Sequence, residues 1–160
     1  MAYPDLERWR ENKSHLRLIG SLCRNCEKII FPKRSFCPVN HDHQLDDFKL
    51  PEMGSVFSFT TITDPDYAPA GFEDKVPYTM AFIQLEGEEL HGQQIFLTAQ
   101  LTDLNFNWVQ KVIEGELRTV KEYNVVIGMP VEMVTRKLSD SGPDGQIIYG
   151  YMFRPTLKQG

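Results

Sequence analysis

The chain has 160 residues, 41% of them hydrophobic, and carries a formal net charge of −5. This length predicts one domain of ordinary size or a small domain with an appendage, and the acidic balance argues against nucleic-acid binding, which usually needs a basic face. No apolar run approaches the roughly 18 residues of a membrane span, and the polar N-terminus does not resemble a secretory signal. We therefore expect a cytoplasmic protein.

The beginning of the chain, residues 1–12, predicts a short helix. Asp5 follows Pro4 as a candidate N-cap, and Leu6 and Trp9 have the spacing that places them on one side of a helix. Trp9 is either an anchor for a partner protein, since tryptophan is enriched at interface hot spots, or a residue that packs on its own domain. The sequence leaves both interpretations open.

All three cysteines of the chain fall within one stretch, at Cys23, Cys26 and Cys37. The short gap between the first two lets one tight turn present two sulfurs to a metal, and a structural zinc ion needs four ligands in a tetrahedron. Asparagine stands where a fourth cysteine is usual, so we favour His41 as the fourth ligand, with His43 as the alternative. These residues predict one structural zinc ion per chain.

Other interpretations of the cysteines stay open. They could be free thiols, or one disulfide with a spare thiol, although an odd number in a cysteine-poor chain argues against a disulfide framework. A site that has lost its metal is a further alternative, because the fourth cysteine is missing. Reduced cysteines of the metal-binding type agree with a cytoplasmic location.

Two β-prone segments flank the first cysteine pair, at residues 16–22 and 28–31, and Pro32 ends the second. Strand, cysteine turn, strand, cysteine turn is the order of a zinc ribbon. Lys33 and Arg34 lie between the two cysteine turns. They would either meet the phosphates of an anionic ligand or belong to a solvated loop.

Five further β-prone segments follow the ribbon, with turn-forming residues between them. They span residues 55–63, 79–85, 94–101, 131–138 and 147–153. The connection between the third and fourth is longer than a simple link, and its Trp108, Val109, Val112 and Ile113 have helical spacing that Gly115 interrupts. Five antiparallel strands with a long connection at this place are the pattern of an OB-fold barrel.

These segments predict a mainly β fold in two parts. Residues 1–50 hold the N-terminal helix and a rubredoxin-like zinc ribbon, and residues 51–160 hold the five-stranded OB-fold barrel. The long connection, near residues 103–126, is predicted to be a helical insertion of one or two short turns.

In this order the chain resembles the thiolase-associated zinc-ribbon/OB-fold proteins, a family once called domain of unknown function 35. The resemblance covers nearly the whole chain and rests on short motifs in a shared order. They are Trp9, Gly20-Ser-Leu-Cys23-Arg-Asn-Cys26, Phe31-Pro32-Lys33-Arg34, Cys37-Pro38, Gly54-Ser-Val-Phe-Ser-Phe-Thr60, Pro77-Tyr78, Gly128-Met-Pro-Val131 and Phe153-Arg-Pro155. The missing fourth cysteine and the long connection depart from the family pattern. Within the family, the chain is most similar to the small subunits of benzoylsuccinyl-CoA thiolases of anaerobic toluene degradation.

The resemblance implies an accessory subunit of an acyl-CoA thiolase complex. The catalytic cysteine and the general bases would lie on a thiolase-fold partner, in an α2β2 assembly, and this chain would help to hold CoA or an acyl-CoA. CoA needs cations for its phosphates and an aromatic or apolar face for its adenine. The candidates are Lys33, Arg34, Phe31, Phe72 and Tyr78. Each aromatic residue among them could instead pack in the core or in a loop.

We expect no catalytic residue in this chain, because its cysteines are better explained as zinc ligands and His15 and His91 have no evident partner. Two functions of other classes remain as alternatives. One is an OB-fold binder of single-stranded nucleic acid, against which the net acidity counts, and the other is a stand-alone scaffold whose zinc ribbon joins other proteins.

Overall fold

The computed structural model describes residues 11–140 and 147–157. Trp9 and residues 1–10 of the predicted N-terminal helix lie outside them, and the first described helix is α1, Asn12–Arg17. The described strands follow in chain order. They are β1 (Ile19–Cys23), β2 (Ile29–Ile30), β3 (Leu45–Lys49), β4 (Met53–Ile62), β5 (Tyr78–Leu85), β6 (Phe96–Leu101), β7 (Phe106–Ile113), β8 (Glu116–Tyr123), β9 (Pro130–Asp140) and β10 (Ile147–Pro155). Single 3-10 turns lie at Pro65–Tyr67, Glu73–Lys75 and Glu88–Leu90. No helix in these ranges is long and apolar enough to cross a membrane.

β1 is the central strand of the ribbon sheet. It pairs antiparallel with β2 on one side and with β3 on the other. The sequence pattern does not predict β3, because Asp46 and Asp47 stand side by side within it. Pairing with β1 along its whole length, from Leu45 opposite Cys23 onwards, holds this strand extended.

Five strands close into a barrel in the order β10-β6-β5-β4-β9. They correspond to the five predicted segments, so the mainly β fold with a five-stranded barrel is confirmed. One detail differs from the expected antiparallel arrangement, because β10 and β6 run parallel where the barrel closes, with Phe153 opposite Leu101. A closed ring with an odd number of strands cannot alternate direction all the way round, so at least one parallel pair is required.

The barrel and the ribbon share one apolar core. Alternation along β5 turns Ala81 and Ile83 inward, and Phe153 of β10 is fully buried beside them. Leu18, just before β1, and Leu50, just after β3, belong to the same buried cluster. The backbone N–H of Leu50 donates to the carbonyl of Leu18 at 3.0 Å. The ribbon is therefore packed directly on the barrel.

The side chain of Gln93 adds a polar connection between the two parts. Its Oε1 accepts a hydrogen bond from the backbone N–H of Ile29 at 3.2 Å, and its Nε2 donates to the carbonyl of Glu27 at 2.8 Å. Gln93 lies in the connection between β5 and β6, so the barrel satisfies backbone groups at the edge of the ribbon sheet.

The predicted helical insertion near residues 103–126 is wrong, because this segment forms the β-hairpin β7–β8. The strands pair antiparallel from Phe106 opposite Tyr123 up to a tip at Glu114 and Gly115. Both tip residues have positive φ, 52° and 83°, as a type I′ turn requires, and this turn matches the twist of the strands that it joins. The aromatic and β-branched residues of this segment favour strands although their spacing is helical, and Gly115 forms part of the turn itself.

Candidate metal centre and binding surfaces

Three sulfurs and one imidazole converge at the end of the ribbon. The ligand atoms of Cys23, Cys26, Cys37 and His43 all lie within 4.8 Å of one another. Cys26 Sγ is 3.6 Å from Cys37 Sγ, and Cys23 Sγ is 3.5 Å from His43 Nδ1. A tetrahedral zinc ion with Zn–S bonds of about 2.3 Å separates its sulfurs by roughly 3.8 Å. The four groups therefore have the chemistry and the spacing of a closed structural zinc site.

The two cysteine turns aim backbone N–H groups at the sulfurs. In the first turn, the N–H of Cys26 donates to Cys23 Sγ at 3.5 Å. In the second, the N–H of Val39 donates to Cys37 Sγ at 3.4 Å. Such N–H groups stabilise the thiolate, which is the form of cysteine that binds a metal.

The fourth member of the group is His43, so the choice of His41 is corrected. Asn40 reverses the chain here, because its Oδ1 accepts from the N–H of Asp42 at 3.0 Å and its carbonyl accepts from the N–H of His43 at 3.2 Å. This turn brings His43 back to the sulfurs. His41 remains outside and stacks on Phe36, with ring centroids 5.3 Å apart. The asparagine that replaces the usual cysteine thus builds the turn that selects the histidine.

Hydrogen bonding sets the ionisation of these groups. The backbone N–H of Asn40 donates to Cys37 and, although burial opposes it, the pKa of this thiol falls from its usual 9.0 to about 6. Burial acts to raise the pKa of Cys23, but backbone N–H groups outweigh it and the pKa is lowered. The hydrogen bond to Cys37 raises the pKa of His43. At pH 7 the Cys37 thiolate is therefore the main form, ready to bind a cation.

Replacing His43 with alanine is expected to weaken zinc binding by more than about 100-fold, because a direct ligand is lost and changes in the outer shell alone cost about 10–100-fold. The matched change His41→Ala should leave zinc affinity unaltered, since this ring stacks outside the cluster. Chelator competition on the two purified variants measures the difference. Equal affinity in both variants, or weaker binding in the His41 variant, would contradict the assignment.

The two cations predicted to contact CoA lie on the surface of the ribbon. Lys33 forms an ion pair with Asp47 of β3. Arg34 is held by its main chain, because its N–H donates to Ser21 Oγ at 3.2 Å and its carbonyl accepts from the same hydroxyl at 3.2 Å. The side chain of Arg34 is exposed. Arg34 is therefore the better placed of the two to meet an anion.

Phe72 and Tyr78 line a pocket of about 390 Å³ on the side of the barrel. Their ring centroids are 5.8 Å apart. Tyr151 of β10 and His15 of α1 line the same pocket, with nearly parallel rings 6.4 Å apart. Phe31 reaches this group from the ribbon and packs edge-on against Tyr151 at 6.0 Å. The three predicted aromatic residues are thus brought together through Tyr151.

Sequence reasoning misses the residues that complete this pocket. Tyr151 lies in a predicted strand, but the side on which it faces depends on the register of that strand against its neighbours. His15 stands at the rim, where it pairs with Glu11 at 3.2 Å. Burial raises the pKa of the Tyr151 hydroxyl. Lys33 and Arg34 are not among the described residues that line the pocket, so the five CoA candidates fall into two groups.

Two family models match consecutive parts of the chain. The one described as "ChsH2, rubredoxin-like zinc ribbon domain" matches residues 10–46, and the one described as "ChsH2, C-terminal OB-fold domain" matches residues 49–136. The metal cluster lies within the first match, and most of the barrel and the whole hairpin lie within the second.

Curated relatives are similar over nearly the full length of the chain. A DUF35 domain-containing scaffold protein of Pyrococcus furiosus is 38% identical over 150 residues, which is 94% of this chain and 91% of the relative. Another, of Methanocaldococcus jannaschii, is 34% identical over 148 residues, 92% of this chain and 87% of the relative. A solved chain from the "Ltp2-ChsH2(DUF35) aldolase" matches 94% of this chain and 91% of its own length, with a TM-score of 0.56 and 20% identity. This last likeness supports the fold alone.

Proposed function

The chain belongs to the ChsH2/DUF35 family of zinc-ribbon and OB-fold proteins, and from this membership we propose that it is a non-catalytic subunit of an acyl-CoA thiolase complex in the cytoplasm. The observation that carries the proposal is the position of its cysteines. Thiolytic cleavage uses a nucleophilic cysteine, and all three cysteines of this chain lie in the metal cluster. The nucleophile and its general bases would therefore come from a thiolase-fold partner.

In this proposal the zinc ion has a structural role. A cluster of three thiolates and one imidazole fills all four positions of a tetrahedral ion and leaves none for a substrate. The ion would join the two cysteine turns to β1 and so hold the loop that carries Lys33 and Arg34. The names of the archaeal relatives, which call them scaffold proteins, agree with a role of this kind.

We assign two separate contacts to CoA or its acyl ester. The exposed guanidinium of Arg34 would meet a phosphate, since a guanidinium matches phosphate geometry in a bidentate manner. The pocket of Phe72, Tyr78 and Tyr151 would take an apolar or aromatic part of the ligand, because three aromatic residues are among those that line it. Lys33 is already neutralised by Asp47 and would contribute less.

The finer parts of the proposal rest on the resemblance. It favours benzoylsuccinyl-CoA as the thioester that the complex cleaves, and an α2β2 assembly with two copies of this chain, in keeping with the general prevalence of twofold symmetry in oligomers.

The test is purification of the full-length tagged chain from its native host, with identification of any partner by mass spectrometry and measurement of bound zinc. We expect a thiolase-fold subunit and one zinc ion per chain. The purified complex should cleave benzoylsuccinyl-CoA when CoA is added, whereas the chain alone should not.

Thioester turnover by the chain alone would overturn the non-catalytic role. A lone chain with zinc that binds single-stranded oligonucleotides in a salt-dependent manner would favour the nucleic-acid alternative. A complex without a thiolase-fold protein, and no effect of CoA, would favour the stand-alone scaffold.

A further inference from the structure

The β7–β8 hairpin extends from the barrel as a separate two-stranded sheet. In the described part of the chain its strands pair only with each other. Its base is tied down by the Tyr123 hydroxyl, which donates to the carbonyl of Pro77 at 3.1 Å, and by the N–H of Asn124, which donates to the carbonyl of Asn105 at 2.9 Å. A hairpin without further packing is marginally stable in water. A partner surface that covers this hairpin would therefore stabilise it.

The two faces of the hairpin differ in character. The pairing register places Phe106, Trp108, Val112 and Leu117 on one side, which we call the apolar face. Trp108 is 62% exposed, Val112 71% and Leu117 66%. Exposed tryptophan is enriched at interface hot spots, and an apolar cluster along a projecting arm is typical of a binding surface.

The opposite face holds two ion pairs beside the half-buried Val109 and Val120 and beside Ile113, which is less exposed than the residues of the apolar face. Lys111 Nζ is 2.8 Å from Glu122 Oε1, and an Arg118 guanidinium nitrogen is 3.2 Å from Glu116 Oε2. These ion pairs satisfy one another in solvent, so this face does not require a partner. The apolar face therefore carries the inference.

The charge of the hairpin indicates what could cover it. Residues 106–123 hold three cations and three carboxylates and are neutral, whereas the whole chain carries −5. The one charge on the apolar face is Lys121, whose Nζ lies 4.7 Å from the Phe106 ring centroid and 5.4 Å from that of Trp108. If two copies packed face to face, Lys121 of one copy would approach Lys121 of the other. The two molecules, each with a net charge of −5, would also repel each other. A different protein with a carboxylate opposite Lys121 would avoid both repulsions.

The size of the apolar face indicates that it is only part of a larger protein contact. Strands of 8 residues each make a face roughly 26 Å long and 10 Å wide. This area, roughly 250 Å², is well below the about 800 Å² that each partner buries in a stable interface. The face would therefore be the hot spot of a larger contact.

We infer that the apolar face of the hairpin docks into an apolar groove of the thiolase-fold catalytic subunit, with a carboxylate of that subunit facing Lys121. The inference rests on the proposed function and names the surface by which the two subunits meet. Trp108 and Leu117 are its anchors, and the barrel adds the remaining contact area.

The test compares two double variants on neighbouring positions of the same strands. Trp108→Thr with Leu117→Thr removes the apolar anchors, and Lys111→Thr with Arg118→Thr makes the same replacement on the opposite face. Threonine keeps the β propensity of both strands. Binding of each full-length chain to the purified catalytic subunit is measured by calorimetry, and zinc content and Tm are measured alongside. We expect the first variant to bind at least about 30-fold more weakly and the second within about 3-fold of wild type, both with unchanged zinc content.

The outcomes separate the two proposals. If wild type binds no thiolase-fold subunit, the proposed function fails and the docking surface fails with it. If wild type binds but the Trp108/Leu117 variant binds equally well, only the docking surface is overturned. Sedimentation of wild type alone gives a further outcome, because a dimer that this variant abolishes would identify a second copy as the occupant and overturn the inference.

Discussion

Replacing Cys37 with serine is expected to abolish stoichiometric zinc binding and to lower Tm by at least about 10 °C. Serine is a poor zinc ligand, and in small zinc domains the binding free energy of the metal, about 10–16 kcal/mol, is folding free energy. A loss of only a few kcal/mol already shifts Tm by about 2–4 °C per kcal/mol in a protein of this size. The effect should reach the barrel, because Leu18 and Leu50 belong to the shared core. Calorimetry and metal analysis of the purified chain measure both effects.

The control for this variant is Ser35→Ala, an exposed change in the same loop. It should keep one zinc ion per chain and the wild-type Tm. Full zinc content in the Cys37→Ser protein at neutral pH would remove this cysteine from the metal site.

Replacing Phe153 with alanine is expected to lower the free energy of unfolding by about 3–5 kcal/mol, the usual cost of deleting a buried phenylalanine. Phe153 is fully buried and lies opposite Leu101 at the parallel pair that closes the barrel. The backbone bond from the N–H of Thr102 to the carbonyl of Phe153 remains available, so the loss is one of packing. Urea unfolding followed by circular dichroism measures it.

Tyr149→Ala is the matched control, because this aromatic residue lies on the same strand but is exposed. Its effect should stay within about 0.5 kcal/mol. Similar losses in the two variants would show that the barrel seam does not depend on the buried ring.

The five barrel strands are predictable because each is rich in β-prone apolar and aromatic residues and is followed by turn-forming residues. The hairpin is harder to predict, because Trp108, Val109, Val112 and Ile113 have helical spacing although their aromatic and β-branched side chains favour strands. The deciding local signal is Glu114-Gly115, two residues that form a two-residue turn with positive φ. A glycine that interrupts a helix pattern and a glycine that turns a hairpin look alike until the flanking β-branched residues are weighed.

The metal site, like the fold, is predictable only in part. The spacing of Cys23 and Cys26 identifies the first turn without any structure. The choice between His41 and His43 depends on how Asn40 turns the chain, which is a matter of backbone geometry that ligand spacing does not contain. The aromatic pocket depends on which side of its strand Tyr151 faces. This is set by the register of β10 against β9, which shifts between Ile148 and Tyr149, and by the pairing of β10 with the sequence-distant β6.

The side chain of Gln93 and the shared core leave the ribbon and the barrel without a hinge between them. The two parts therefore present their surfaces in a fixed relative orientation before any other protein arrives. A preorganised pair of surfaces loses less conformational entropy on association than two surfaces joined by a flexible linker. Once the ribbon or the barrel has bound a partner, the orientation of the other is already fixed. The chain would then act as a rigid scaffold that sets the relative orientation of the proteins it binds.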